Sequence, residues 1–421
     1  MIRIAPKGWV AGSVDDVVDS ISSGVSVNSE ERECRIGELG VLKTSCVFTG
    51  VFRAQEHKAV VASELGRVAE PVRGDTIIVS RMNTPDLVGA SAYVPADFNN
   101  LFLPDRLWQV RSSENAGARW LGFVIGSPTM RALLKSIASG TSNSMKNIAQ
   151  DSFLGLPVLI PPLDEQHRIV AVLDAWDQAI DQTERLIAAK RRRKTALFQK
   201  LFSNLPRRPL LEAADVWFSG VDKKSRAEEA PVRLCNYMDV FHNARITSGL
   251  PFMHATASRA QIAGNSLRKH DVVFTKDSET SEEIAEPALV AEDIDNLVCG
   301  YHLAVARPRE GVGHGPFIAQ AMRHQAMRWQ FSRLANGVVR FGLTLDAIEQ
   351  AEIFLPSLPV QEQIAAVLHT EDIAMEGLAK HAEALGTQKR GLMQKLLTGE
   401  WRLDERFDRP VFSTKIRSEI A

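Results

Sequence analysis

The sequence predicts an α+β protein in which two mixed α/β modules alternate with two long helices packed as an antiparallel coiled coil, giving an internal pseudo-two-fold repeat. Three observations lead there. A segment beginning at Pro161 recurs without a gap 195 residues later, a weaker similarity at an offset of 196 links the regions upstream of the two copies, and both copies carry a heptad-like apolar spacing.

The first copy opens Pro161-Pro162-Leu163-Asp164-Glu165-Gln166 and the second Pro356-Ser357-Leu358-Pro359-Val360-Gln361. Fifteen of 42 positions are identical when 161–202 is laid on 356–397. Upstream, Ala92, Val94, Asp97, Asn100, Leu101, Leu107 and Arg111 fall on Ala288, Val290, Asp293, Asn296, Leu297, Leu303 and Arg307, while Gly24 and Asp75 fall on Gly220 and Asp271. The chain is therefore organised A-B-A′-B′. Between the matched positions lie stretches that differ: Arg81-Met82-Asn83-Thr84 against Asp277-Ser278-Glu279-Thr280, and Ser142-Asn143-Ser144 against Val339-Arg340-Phe341. A shared scaffold with unlike tips is the expected form of two related recognition modules.

Taken in order, Val14 to Val18 and Leu211 to Val216 read as a short leading helix or strand in each module. Asp75 to Ser80 and Asp271 to Lys276 read as short strands preceded by turn residues. After the prolines, Ile169, Leu173, Trp176, Ile180, Ile187, Leu197 and Leu201 follow spacings of three and four. The second copy repeats this with Ile364, Leu368, Met375, Leu378, Leu385, Leu392 and Leu396. Both read as helices of about 40 residues, roughly 60 Å long at 1.5 Å per residue. So narrow a stripe needs a partner, and the other copy is the obvious one. Lys190, Lys194, Glu371 and Lys389 interrupt the seam, and polar seam residues fix register rather than add stability. The expected segmentation is 1–157 and 205–352 for the modules, 158–204 and 353–402 for the helical regions, and 403–421 as a tail.

The chain's 421 residues exceed the usual size of one core, and 50 Lys and Arg against 51 Asp and Glu neither favour nor exclude nucleic acid. Cys34, Cys46, Cys235 and Cys299 form no C-x-x-C pair, which argues against a zinc site or disulfide framework and fits the cytoplasm. No apolar run approaches the roughly 18 residues of a membrane span, and the first residues lack a signal peptide's apolar stretch. Phosphate-loop, zincin, nucleophile-elbow and dinucleotide fingerprints are absent, as is an Asn-Pro-Pro or Asp-Pro-Pro tetrapeptide. The expectation is a chain without chemistry of its own.

The segment Leu159-Ile160-Pro161-Pro162-Leu163-Asp164-Glu165-Gln166, its copy from Phe354 to Gln361, and the ending Gln388-Lys389-Arg390-Gly391-Leu392-Met393-Gln394-Lys395-Leu396-Leu397-Thr398-Gly399 resemble the specificity subunit of type I restriction-modification systems. The resemblance covers almost the whole chain, with Val360 departing where the first copy has Glu165. It implies a DNA-binding subunit in which two target-recognition domains each read one half of a bipartite, asymmetric site on double-stranded DNA. The helices would set the spacing and dock two methyltransferase subunits, with motor-nuclease subunits joining for restriction. S-adenosylmethionine, ATP and Mg would then belong to partner subunits and no cofactor to this chain.

Base edges in the major groove are read by Arg, Lys, Asn, Gln, Ser or Thr on projecting loops. The residues of that kind at the unlike tips are Lys43, Thr44, Arg81, Asn83, Thr141, Ser142, Asn143 and Lys146 in the first module. In the second the candidates are Asn236, Lys276, Ser278 and Arg340, together with Tyr237 and His302, whose side chains also carry hydrogen-bonding groups. The run from Lys190 to Lys194 is open to two readings, phosphate binding or a solvated or partner-facing helix surface. Rival functions are a coiled-coil scaffold that binds no DNA, an enzyme with a cryptic site in one module, and a recognition subunit of a related modification system outside type I.

Overall fold

In the computed structural model, which describes residues 5–140, 145–404 and Phe407, the chain forms two compact units. One is Met1–Arg185 with Ala379–Ala421, the other Leu186–Leu378. The division does not follow the module boundaries expected from the sequence, because each unit takes one α/β module together with half of each long helix.

In the first unit, Val18–Ser23, Leu107–Ser112, Thr76–Ser80 and Ser91–Val94 form an antiparallel four-stranded sheet in that order. A five-stranded sheet follows the order Ser29–Glu30, His57–Val60, Gly40–Leu42, Phe98–Phe102, Pro71–Val72. The strand Thr76–Ser80 is buried throughout, which explains its unbroken apolar run. Its side chains alternate between faces, so Ile77 and Val79 enter one core with Trp120, Leu121 and Phe153, while Ile78 enters another with Leu101, Leu103 and Leu107.

The second unit repeats the plan. Its sheet runs Ala214–Phe218, Leu303–Pro308, Val272–Thr275, Pro287–Val290, Arg245–Ile246, beside a three-stranded sheet of Met253–Ala257, Ala230–Cys235 and Leu297–Cys299. Here too the central strand divides two cores, with Val272 and Phe274 on one side and Val273 on the other.

The long helices run Leu163–Phe202 and Leu358–Leu397, 40 residues each. Each ends on a left-handed residue, Asn204 (φ 61°) and Gly399 (φ 67°), at repeat-equivalent places. In the first unit Ile169 and Leu173, near the start of the first helix, share a core with Met393 and Leu396 from the end of the second. In the second unit Phe202 shares a core with Ile364, Ala365 and Leu368. The pairing within each unit is thus antiparallel. Full burial is concentrated at helix ends docked on the α/β cores, whereas Trp176, Ile180, Ile187, Leu197, Leu201, Met375, Leu378, Leu385 and Leu392 are half-buried.

Backbone pairing corrects the repeat register in the modules. Asp75 and His270 both have left-handed φ (53° and 75°) and donate their N–H to Val94 and Val290, so Asp75 matches His270 and not Asp271. Met82 pairs with Asn147 as Asp277 pairs with Gly342. Arg81 therefore corresponds to Lys276 and Asn83 to Ser278, an offset of 195 where the unaided comparison gives 196.

Candidate nucleic-acid interface

The module is held to its helix by the glutamine common to both opening motifs. Gln166 and Gln361 are completely buried. Gln166 Oε1 accepts the Gly117 N–H (2.9 Å), and its Nε2 donates to the Asn115 (3.1 Å) and Pro161 (3.0 Å) carbonyls. Gln361 does the same with the His314 N–H (2.9 Å) and the Val312 (2.8 Å) and Pro356 (2.9 Å) carbonyls. A side-chain amide supplies both the acceptor and the donors that these buried backbone groups require.

Polar seam residues form a second equivalent pair. Lys389 pairs with Asp177 in the first unit, and Lys194 pairs with Asp372 in the second. Asp177 and Asp372 are themselves repeat equivalents. In the basic run, Lys190 and Arg193 also reach Glu371, at 3.5 and 3.4 Å. Three of the five basic residues therefore reach acidic groups of the second helix, while Arg191, Arg192 and Arg193 remain exposed. A double-mutant cycle on Lys194 and Asp372 to alanine is expected to give a coupling of about 1 kcal/mol in denaturant unfolding, since both side chains are partly exposed.

Glu165 explains one departure between the copies. It accepts the Trp9 Nε1–H (2.9 Å) and a fork from Arg402 Nε and Nη2 (2.6 and 2.7 Å). Burial pushes this carboxyl up, but Arg402 and Trp9 outweigh it and hold it below its ordinary range. Val360, in the matching place, is exposed.

The sequence-selected polar residues fall at matching points of the two units. The strand Gly40–Leu42 leads into Lys43 and Thr44, and Ala230–Cys235 leads into Asn236 and Tyr237. Each strand is paired in parallel, Gly40 with Leu101 and Arg233 with Leu297, so Lys43 corresponds to Asn236 and Thr44 to Tyr237. Arg81 N–H donates to the Arg106 carbonyl as Lys276 N–H does to that of His302, so Arg106 corresponds to His302.

In the second unit these residues converge. Tyr237 Oη lies 3.4 Å from Ser278 Oγ, which donates to Glu283 (2.8 Å). Asp277 receives Lys276 Nζ at 2.5 Å and His302 Nδ1 at 2.9 Å. Lys276 also sits 4.9 Å from the centre of the Tyr301 ring. Asp222, Lys223, Asn236, Tyr237, Gly300, Tyr301 and His302 line a cavity of about 210 Å³. Burial pushes the Tyr237 hydroxyl up, which keeps it a neutral donor. Such a cluster presents donors from lysine, histidine and tyrosine and an acceptor from aspartate, the groups that discriminate base edges.

The first unit is more open. Arg81 is fixed by the Asp105 carbonyl (2.8 Å) and Asn147 Oδ1 (3.1 Å), and Asn83 donates to Ser80 Oγ (3.1 Å). Lys146, the cross-strand partner of Asn83, donates to the Gly140 carbonyl (2.9 Å). Lys43 is bound to Glu31 at 2.8 Å; hydrogen bonds from Lys43 and then Lys58 hold that carboxyl down at about 2. Thr44 begins the short turn of helix that follows Lys43. Thr141, Ser142 and Asn143 lie outside the described residues. Arg340 is exposed on a loop whose next residue, Phe341, pairs with Ser278. Sequence reasoning missed Arg106, Tyr301 and Asp277. The exposed Arg106 was recoverable, because it stands 196 residues before His302.

Residues 6–190 match the model of the type I restriction modification DNA specificity domain. The chain is 25% identical over 179 residues to the type I restriction enzyme EcoEI specificity subunit of Escherichia coli, a match covering 42% of this chain and 30% of that one. It is 22% identical over 436 residues to the putative type I restriction enzyme MjaX specificity subunit of Methanocaldococcus jannaschii, covering 94% and 95% of the two chains. The fold is shared with the S subunit of the type I system from M. genitalium (TM-score 0.56, 15% identity, 92% of this chain and 96% of that one). It is also shared with a chain solved in a study of complex assembly and conformational transition of the type I R-M system (TM-score 0.57, 17% identity, 94% and 100%). With the domain match over residues 6–190, the near full-length relative and the duplicated fold in agreement, this chain is similar over almost its whole length to the specificity subunits of type I restriction-modification systems.

Proposed function

We propose that the chain is the sequence-specific DNA-binding subunit of a type I restriction-modification complex, each unit reading one half of a bipartite, asymmetric site. The observation that carries this is the pair of equivalent polar ends with unlike side chains: Lys43, Thr44, Arg81, Asn83 and Arg106 against Asn236, Tyr237, Lys276, Ser278 and His302. One scaffold bearing two chemistries suits two half-sites of different sequence. On this reading 1–157 and 205–352 are the target-recognition domains, and 158–204 and 353–402 are the helical regions that set the spacing and dock methyltransferase subunits. Motor-nuclease subunits would join that frame, the chemistry would belong to those partners, and the complex would act in the cytoplasm.

The test is genome-wide adenine methylation in host cells with and without the gene. Loss of methylation at one bipartite motif on deletion is the expected result. An unchanged methylome, with the methyltransferase partner expressed, overturns the proposal.

A further inference from the structure

Beside the polar cluster of the second unit stands a loop of opposite character. Val338 and Val339 are 91% and 83% exposed, adjacent in sequence and followed by the exposed Arg340. The loop is closed at its base. Asn336 and Gly342 exchange two backbone hydrogen bonds of 2.9 Å, and Phe341 and Gly342 pair with Ser278 and Asp277. Gly337 (φ 145°) closes the turn so tightly that a Cβ would stand 1.8 Å from the Arg340 carbonyl oxygen.

The first unit builds the same neck, with Ser139 and Asn147 exchanging hydrogen bonds and Gly140 at φ 150°, but the sequence inside it is Thr141-Ser142-Asn143-Ser144-Met145. After the matching glycine, the sequence reads Thr141-Ser142-Asn143-Ser144 in one copy and Val338-Val339 in the other. Valines presented on so constrained a neck neither fill a core nor form hydrogen bonds. What they offer is two branched apolar surfaces directly beside Arg340 and the Asp277–Ser278 strand.

We propose that the Gly337–Arg340 loop is an apolar reader that packs Val338 and Val339 against the C5 methyl group of thymine in the major groove. This rests on the DNA-reading function proposed above and assigns a base chemistry to one of its ends. Three features select this partner. The loop is continuous, through paired strands, with the donor and acceptor cluster around Asp277 and His302. Arg340 supplies the positive charge that duplex DNA attracts. The thymine methyl is the one apolar group on a base edge in the major groove, where small aliphatic side chains distinguish A·T from G·C pairs. The half-site read by the second unit must then contain at least one A·T pair whose recognition depends on that methyl.

The test uses the full chain assembled with its methyltransferase subunits and duplexes carrying the motif found by methylation sequencing. Each thymine is replaced in turn by deoxyuridine, which removes only the methyl. Removing one methyl contact should weaken wild-type binding about fourfold at one or two thymines of one half-site. The Val338→Ala, Val339→Ala double variant should be weaker on the unmodified duplex and indifferent to uracil at those same positions. Its response in the other half-site should match wild type, and its melting should be unchanged because both side chains are exposed.

Sequence-specific binding with equal responses of wild type and variant to every uracil overturns this inference and leaves the DNA-reading function standing. The same holds for a variant that discriminates normally but loses its methyltransferase subunits, which would make the loop a protein contact. Absence of any sequence-specific binding by the assembled wild type sinks both.

Discussion

Replacing Gln361 by leucine is expected to cost the second unit about 3 kcal/mol, and Gln166→Leu should cost the first unit a similar amount. Each substitution removes three hydrogen bonds at a completely buried position and leaves one N–H and two carbonyls without the partner they have now. A buried group so orphaned costs about 1–3 kcal/mol, part of which relaxation recovers. For a unit of this size the corresponding fall in melting temperature is about 6–12 °C, measurable by calorimetry. The two networks share no residue, so the double variant should show the sum of the single effects within about 0.5 kcal/mol.

Gln361→Glu provides a sharper version. A carboxylate still accepts from the His314 N–H but has nothing to donate to Val312 and Pro356, whose carbonyl oxygens it would face as like partial charges. Acidification should partly restore stability, because the neutral carboxyl regains one donor. A Gln361→Glu protein as stable as wild type at neutral pH would mean that the amide does not hold the helix to its module.

Much of this frame is legible in the sequence because it is written twice. The repeat identifies Gln166 and Gln361 as the same residue in two places, and the apolar spacing marks both helices. Residue identity does not reveal what the glutamines hold together, since a buried glutamine at a helix start reads as any polar residue until the loops at Asn115–Gly117 and Val312–His314 are seen against it. The Lys–Asp pairs are half legible. Lys194 and Lys389 stand out as polar seam residues, but their partners lie on the other helix, at separations that no local pattern reveals.

Sequence alone misplaces by one residue the register of the strand Thr76–Ser80 against Val272–Thr275, because a length change falls between these strands and those beginning at Ser91 and Pro287, after which the offset of 196 holds. For the same reason it sets Arg81 against Asp277, which hides the equivalence of Arg81 to Lys276. The reading ends are the least legible part. Their side chains differ between the two copies, so only the scaffold around them identifies which residues correspond.

That correspondence yields the second large effect. Arg81→Ala and Lys276→Ala occupy one structural position in two units, so each is expected to relax recognition in one half-site and leave the other intact. A lost base contact of this kind weakens specific binding by about 1–3 kcal/mol, or roughly 5- to 150-fold. Methylation sequencing of complementing strains should then show the wild-type motif degenerate at one or two positions, in different halves for the two variants. Arg81 also holds the Asp105 carbonyl and Asn147, so loss of local order is a competing cause in that variant. Arg81→Lys separates the two, because it keeps the charge but not the fork that binds both groups. Lys276 bears on a further alternative through its salt dependence. If it touches phosphate, Lys276→Ala weakens all duplexes equally and lowers the salt slope by about one; if it touches a base, the motif relaxes and the slope holds. Should both variants methylate the complete motif at the wild-type rate, the ends built around Arg81 and Lys276 do not read DNA, and the half-buried residues that follow the parallel-paired strands, Lys43 and Asn236, become the candidates.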